Sequence, residues 1–142
     1  MIVVLQTVDT TLARIRSLVG ERGSVCYFGG HREALTHIRD NEPLFGRTVV
    51  IMSDFYPGEI GLNGSRVAAV IKGMRVAVWC ILYTGIRPST GPSVDGVISK
   101  LDQRVPLDSI LDLVDAGIDD PERIPDLETL FTMFPWIQRP AR

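Results

Sequence analysis

Short apolar runs alternate with amphipathic segments along most of this chain of 142 residues. The runs occupy residues 1–5, 24–28, 48–52, 76–83 and 94–99. Because they are apolar, rich in β-branched residues and largely without polar alternation, they predict strands buried on both faces of a parallel sheet. The segments that separate the first four runs carry apolar residues at helical spacing, starting with a helix that Thr10 or Thr11 would cap. This alternation predicts an α/β fold in which five parallel strands have helices on both faces.

Two parts of the chain depart from the alternation. Residues 86–93 contain two prolines and a glycine, which forbid a normal helix, so we expect the helix between the fourth and fifth strands to be shortened or lost. A final helix is predicted over 106–116, and a polar connector with two prolines follows it. Asp126 can then cap a short apolar helix. We therefore divide the chain into a domain at 1–117 and a C-terminal extension at 118–142.

Composition excludes several classes of function. Fifteen basic and seventeen acidic residues give a net charge of −2, so no general positive field exists to attract nucleic acid or anionic lipid. The apolar runs are shorter than the roughly 20 residues of a membrane helix, and no targeting segment stands out. We expect a soluble, cytoplasmic protein that binds neither nucleic acid nor membrane. Cys26 and Cys80 are too few for a disulfide framework, and His31 and His37 do not share a helix face as zinc ligands would.

Polar residues follow the third, fourth and fifth predicted strands, near the point where each strand ends. They are Asp54, Thr84 and Lys100. Each alone fits an ordinary role, as a turn former, a strand-end hydroxyl or a solvated charge. Together they meet at the edge of the sheet where ligands bind. A carboxylate there can attack phosphorus while the lysine and the hydroxyl contact the phosphoryl oxygens, with Mg²⁺ relieving the repulsion between carboxylate and phosphate.

The order of elements and four short motifs resemble the receiver domain of two-component response regulators, the CheY-like family with a flavodoxin-like fold, over residues 1–117. The motifs are VIMSD at 50–54, the proline and glycines at 57, 58 and 61, YTG at 83–85, and DGVISK at 95–100. Asp54 and Thr84 lie thirty positions apart, as is usual in that family. The resemblance implies a signalling domain that is not an enzyme, with Asp54 as phosphoacceptor, Thr84 as switch hydroxyl and Lys100 as phosphate contact. It also implies Mg²⁺ as cofactor and a kinase or an output protein as partner.

The chain departs from the family in the region that should hold Mg²⁺. Receivers carry two adjacent acidic residues after the first strand, and Gln6 or Thr7 stands at those positions here. Asp9 is the nearest carboxylate, so Asp9 and Asp54 are the remaining candidate metal ligands. Asp9 equally fits a helix start, where an acid is favoured by the helix dipole.

The loop after the third strand is also unusual. Phe55 and Tyr56 alone separate Asp54 from Pro57, one residue fewer than in the family, and alignment from the proline would put Ser53 at the acceptor position. We prefer Asp54, because the end of the strand and the interval to the switch hydroxyl both favour it.

These departures, with the short interval between Thr84 and Lys100 and with Leu101 in place of the usual proline, are typical of a degenerate receiver, or pseudo-receiver. Such a domain signals through protein contacts while phosphorylation is weak or lost. One alternative is a phosphorylatable single-domain response regulator that uses Asp54. Another is a small-molecule or nucleotide binder whose glycine-rich turn at 58–65 precedes a helix. A direct ion pair between Lys100 and Asp54, in place of the metal, is a further variant.

An apolar cluster in the C-terminal extension contains Phe131, Phe134 and Trp136. One interpretation is that it packs back on the domain and covers the surface left by the missing helix. The other is that these aromatic residues bind another protein or a second copy of the chain, giving a homodimer, since aromatic residues are favoured at interfaces.

Overall fold

The strands of the sheet follow the predicted apolar runs closely. The structure, a computed structural model, describes residues 1–22, 24–41, 43, 46–75, 77–85, 87–102 and 104–141. Its strands are β1 (Ile2–Leu5), β2 (Val25–Phe28), β3 (Thr48–Met52), β4 (Val78–Thr84) and β5 (Gly96–Ser99). The predicted start of the fourth strand, Val76, lies outside the described residues.

All five strands form one parallel sheet in the order β2-β1-β3-β4-β5. Every residue of β1 and β3 is buried, because helices cover both faces of the sheet. The strand order reverses between β1 and β3, and ligands in such sheets bind beyond the carboxyl ends of the strands at that reversal. The predicted five-stranded α/β fold is confirmed.

Four helices cover the two faces in pairs. They are α1 (Asp9–Val19), α2 (His31–Asp40), α3 (Gly64–Met74) and α4 (Ser109–Ala116). Alternate side chains of each strand point to opposite faces. Val4 and Ile51 therefore pack in one apolar cluster with α1 and α4, whereas Val3 and Val50 pack in a second cluster with α2 and α3.

Helix starts are where the sequence-based expectations need correction. The residue before α1 is Val8, whose position has no side-chain cap, so Thr10 and Thr11 lie inside the helix and do not cap it. The reason is that α1 already begins at Asp9, ahead of both threonines, whereas a cap must precede the first helical residue. The last predicted helix of the domain begins at Ser109, not at Pro106, because 106–108 form a separate turn.

The connection between β4 and β5 contains no helix in its described residues, 87–95. Pro88 and Pro92 lie in this stretch, and each removes a backbone donor that a helix would need. The predicted loss of the fourth helix is therefore confirmed. Val94, at the end of the loop, is buried in the cluster beneath α2 and α3, and so fills part of the space that a helix would cover.

The C-terminal extension folds back on the domain through α5 (Leu127–Met133), which Asp126 caps by accepting from the Thr129 N–H at 2.8 Å. Its buried apolar residues join the cluster beneath α1 and α4: Ile118, Ile124, Leu130, Phe134 and Ile137. The extension thus packs back as predicted. Its buried side chains lie on the α1 and α4 face, whereas only its outer residues, such as Leu127 and Phe131, line a pocket with the loop that replaces the missing helix.

Two sets of polar contacts anchor the extension. The guanidinium of buried Arg47 donates to the carbonyl of Ile124 at 2.8 Å and to that of Pro125 at 3.1 Å, and it lies over the Trp79 ring. Further along, the N–H and carbonyl of Gln138 pair with the carbonyl and N–H of Val97 in β5. The outer edge of the sheet is therefore partly covered by the chain itself, which protects it from pairing with other strands.

Candidate functional site

Backbone pairing brings Asp54, Thr84 and Lys100 to the carboxyl edge of the sheet. Met52 pairs in register with Leu82, so Asp54 and Thr84 each lie two residues beyond that pair. Thr84 pairs with Ser99 in β5, and the N–H of Lys100 donates to the Thr84 carbonyl at 2.9 Å. The three predicted residues therefore occupy neighbouring positions along one edge, as expected from the topology.

The carboxylate of Asp54 is the centre of this edge, and only 6% of the residue is exposed. Its Oδ1 accepts from the N–H of Gly64 at 2.9 Å and from the hydroxyl of Ser89. Its Oδ2 accepts from the N–H of Ser89 at 2.7 Å. Hydrogen bonds of this kind, to an ionised acceptor, are among the stronger ones in proteins. Both carboxylate oxygens are thus bound by neutral groups of the chain itself.

The first turn of α3 is equally occupied. Beyond the Gly64 N–H, the Ser65 N–H donates to the Ser89 hydroxyl oxygen at 3.1 Å, and the Arg66 N–H donates to Oδ1 of Asn63 at 3.0 Å. Helix N-termini bind phosphate through such N–H groups. Because side chains of this protein already occupy these groups, the helix start offers a nucleotide phosphate little of the expected binding.

Gly64 is the residue that allows this close approach. A Cβ atom at that position would lie 2.7 Å from Oδ1 of Asp54 and would collide with the Leu82 side chain. A side chain larger than hydrogen would therefore force Asp54 or the start of α3 to move. The glycine, which the sequence indicated only as part of a glycine-rich turn, is required by the contact with Asp54.

Lys100 is turned away from Asp54. Its Nζ donates to the hydroxyl of Thr11 in α1 at 3.4 Å and lies 4.9 Å from the centre of the Tyr83 ring. Burial lowers the pKa of Lys100, because water no longer fully stabilises its charge. In the described part of the chain, Lys100 and Asp54 form no ion pair. The ion pair between Lys100 and Asp54 that could have replaced the metal is therefore not formed in this structure.

Two buried tyrosines line the neighbourhood of the edge. Burial raises the pKa of Tyr83, next to Thr84, and the charge of Arg14 acts in the opposite direction. Burial raises the pKa of Tyr56 above its usual range, and the nearby carboxylate of Asp54 adds to the effect. Both phenols are therefore neutral at physiological pH, and they add no charge to this edge of the sheet.

Gln6 and Thr7 are the residues at which the resemblance to receivers predicts an acidic side chain. Gln6 is fully buried; its amide nitrogen donates to the Ile51 carbonyl at 3.3 Å, and its oxygen accepts from the Ser53 hydroxyl at 3.4 Å. That hydroxyl oxygen in turn accepts from the Thr7 N–H at 2.9 Å. Ser53, the alternative acceptor position, is thus bound inside this network. The corner between β1 and β3 is neutral and internally satisfied.

These residues do not fit Mg²⁺, which prefers oxygen ligands that include carboxylates. Asp9 is exposed in the first turn of α1, as the helix-start interpretation predicts. Both oxygens of Asp54 are engaged by N–H and O–H donors, whose hydrogens would face a cation. Among the residues that the structure describes, no three acidic, histidine or cysteine side chains are grouped so as to hold a metal ion.

The three aromatic residues proposed for partner binding have different environments. Phe134 is buried in the protein's own core, with its ring 5.7 Å from that of Trp136. Phe131 and Trp136 are partly buried against the same core, and the guanidinium of Arg139 lies over the Phe131 ring. Phe134 is therefore unavailable to a partner in this conformation, because it already fills the space beneath the extension.

Sequence reasoning missed Ser89, which supplies two of the three donors to Asp54. Its signal was weak: a serine directly after Pro88 in a helix-free stretch. Nothing in that pattern indicates which carboxylate the serine would meet, because the contact joins residues from different loops.

Comparison with known proteins gives information on the fold. No family model matches the chain, and no curated protein matches its sequence. Among solved structures, it is similar to a response regulator receiver protein from Dyadobacter fermentans, with 15% identity and a TM-score of 0.57, over 80% of this chain and 96% of that one. A receiver domain of RcsB from Salmonella enterica, solved with phosphomimetic BeF3−, has 16% identity and a TM-score of 0.56, over 89% and 96% of the two chains.

A third similar structure is described as an adenylate cyclase from Rhodopirellula baltica, with 17% identity and a TM-score of 0.62, over 92% of this chain and 96% of that one. Together these similarities show that the chain has the receiver fold, and the predicted resemblance is confirmed at that level.

Within the described residues, no helix has the length and apolar character required to cross a bilayer.

Proposed function

We propose that this chain is a cytoplasmic receiver-like signalling domain of the pseudo-receiver kind, which acts through protein contacts without Mg²⁺-dependent phosphorylation. The receiver fold supports the first part of the proposal. The observation that carries the second part is the neutral corner at Gln6, where the amide is buried and hydrogen-bonded at both ends. A phosphoryl group approaching Asp54 would meet its negative charge without a cation to offset it.

The contacts of Asp54 and Lys100 support the same proposal. A carboxylate that attacks phosphorus needs a free oxygen, whereas Asp54 accepts hydrogen bonds on both oxygens. A lysine that binds phosphoryl oxygens must reach them, whereas Nζ of Lys100 donates to Thr11. The residues typical of phosphoryl transfer are thus present at the edge of the sheet, but they are engaged in other contacts.

The partner in this proposal is a protein: a kinase, an output protein or a second copy of the chain. Light scattering on the purified protein tests the second copy, since a homodimer has twice the mass of the monomer. A monomer would direct the search to a different protein.

The experiment that tests the absence of phosphorylation is intact mass spectrometry of the full chain after incubation with acetyl phosphate and Mg²⁺. The matched control is Asp54→Asn, and circular dichroism verifies that both proteins are folded. We expect no gain of mass in either protein. An Asp54-dependent gain of one phosphoryl group would instead make the chain a working single-domain response regulator.

A second measurement addresses the metal directly. In the wild type, we expect millimolar Mg²⁺ to leave the amide NMR signals near Asp54 unchanged. The Gln6→Glu variant keeps the side-chain size and restores one carboxylate, and it should gain a Mg²⁺-dependent shift at the same signals. Saturable Mg²⁺ shifts in the wild type would contradict the proposal.

A further inference from the structure

The β4–β5 loop, residues 87–95, lies against the start of α3 in place of the missing helix. Ser89 contacts Asp54 and Ser65 at one end of the loop. Gly91 also lies close to α3, since a Cβ atom there would be 2.9 Å from Oγ of Ser65. Pro88 and Pro92 restrict the backbone around these contacts, which reduces the entropy lost when the loop adopts this conformation.

The two ends of the loop are held differently. Asp95 is anchored firmly: its carboxylate accepts from the Cys80 N–H at 2.8 Å and pairs with Nζ of Lys72 at 2.7 Å. The adjoining Val94 is buried in the core. At the other end, Ser89 is half-buried and is held by polar contacts with Asp54 and Ser65. The Ser89 end can therefore separate from α3 while the Asp95 end stays in place.

We propose that the contact between Ser89 and Asp54 is an intramolecular latch that closes the acceptor site. The proposal rests on the receiver-like part of the proposed function, the polar edge around Asp54, and deepens it. In this arrangement the Ser89 hydroxyl bridges Asp54 and the start of α3, because it accepts from the Ser65 N–H while donating to Oδ1 of Asp54. The loop thereby supplies from within the chain the neutral donors that shield this carboxylate. Opening the latch exposes Asp54 and frees the loop from α3.

The test measures access to Asp54 by carboxylate labelling. The full chain is treated with a water-soluble carbodiimide and glycine ethyl ester, and the modification of Asp54 and of exposed Asp9 is followed by peptide mass spectrometry. The variant is Ser89→Ala, with Ser93→Ala in the same loop as matched control. We expect labelling of Asp54 to be about tenfold faster in Ser89→Ala, the factor that corresponds to losing one hydrogen bond to a charged group. Labelling of Asp9 should not change.

A second variant approaches the latch by a different route. Gly91→Ala places a methyl group against Ser65 and should push the loop from α3 without removing any donor to Asp54. We expect faster labelling of Asp54 here too, and faster hydrogen exchange at the Ser65 N–H. Gly91→Ala therefore still tests the latch if Ser89→Ala does not fold.

The latch is refuted if Asp54 is labelled at the wild-type rate in both folded variants, or if Ser93→Ala accelerates labelling as much as Ser89→Ala does. The pseudo-receiver proposal fails on a different result, phosphorylation of the wild type by acetyl phosphate. Wild-type phosphorylation together with faster labelling in Ser89→Ala would leave the latch intact as the gate of a functional acceptor. The two failures are therefore distinguishable.

Discussion

Replacing Asp54 by alanine tests whether this carboxylate holds the structure together. In the wild type it accepts hydrogen bonds from the N–H of Gly64, the N–H of Ser89 and the hydroxyl of Ser89. Alanine removes all three acceptor contacts and leaves the donors behind. We therefore expect Asp54→Ala to lower the free energy of unfolding, as removing a residue whose role is structural would.

The magnitude follows from the environment of each donor. The Gly64 N–H is buried, so it loses a hydrogen bond to a charged group, worth about 1.5–3 kcal/mol. Ser89 is half-buried, and its donors can turn partly to water. Together these losses give a total near 3–4 kcal/mol for Asp54→Ala. Asp54→Asn keeps one oxygen acceptor for Gly64 and should cost about half as much.

Urea unfolding followed by circular dichroism measures the effect. With a slope of about 2 kcal/mol per molar urea, Asp54→Ala should lower the midpoint by roughly 1.5–2 M. The matched control is Asp9→Ala, which removes an exposed acid from the first turn of α1 and should cost about 0.3–1 kcal/mol. If the Asp54→Ala midpoint stayed within the range of the Asp9→Ala control, the three hydrogen bonds would not carry the stability assigned to them.

Three further predictions concern the core, the extension and a buried charge. Gly64→Ala should destabilise the protein by about 1–3 kcal/mol, because a Cβ atom there meets neighbouring side chains. Gly73→Ala in the same helix has open space around it and should stabilise the protein by about 0.5–1 kcal/mol. Thermal melts compare the two variants, and equal shifts of the melting temperature would refute the steric argument. Phe134→Ala should lower the free energy of unfolding by about 3–5 kcal/mol. Phe55 is 61% exposed, so Phe55→Ala should change it by no more than about 0.5 kcal/mol. Urea unfolding measures both, and similar midpoints would contradict the packing of the extension. Burial lowers the pKa of Lys100 in the folded state below its ordinary value of 10.5. Between these two pKa values the unfolded chain keeps the Lys100 proton while the folded protein loses it, so the free energy of unfolding should rise with pH over this window. Relative to the wild type, Lys100→Gln should lack that rise in unfolding measured against pH, and parallel pH profiles would disprove it.

The alternation of apolar runs was sufficient to predict the sheet. In β3, the largely apolar run at 48–52 predicts a strand buried on both faces, and every residue of the strand is buried. The same pattern placed Asp54 and Thr84 after the carboxyl ends of their strands, and the observed pairing brings them to one edge of the sheet. The prolines of the β4–β5 loop likewise predicted the loss of a helix, because proline lacks the N–H that helix hydrogen bonding needs. These predictions depend on local chemistry, which a sequence contains directly.

The contacts at the site could be predicted less well. Lys100 was expected near Asp54, but its side chain has length enough to reach several partners, and it extends towards Thr11. For the extension, apolar spacing in α5 predicted burial, and the surface left by the missing helix was the expected place, but most of its buried side chains pack elsewhere. The extension packs on the α1 and α4 side, and Arg47 binds the carbonyls of Ile124 and Pro125 there.

By itself, the sequence determined the order of strands and helices, the five-stranded parallel sheet, the missing fourth helix and the edge at which the polar residues meet. Only the tertiary structure decided that Asp54 binds Ser89 and Gly64, that Gln6 closes the neighbouring corner, and that Lys100 is turned away. The physical reason is range. Periodicity and backbone restriction act between near neighbours in the chain, whereas a buried carboxylate takes whichever donors the folded loops bring within hydrogen-bonding distance.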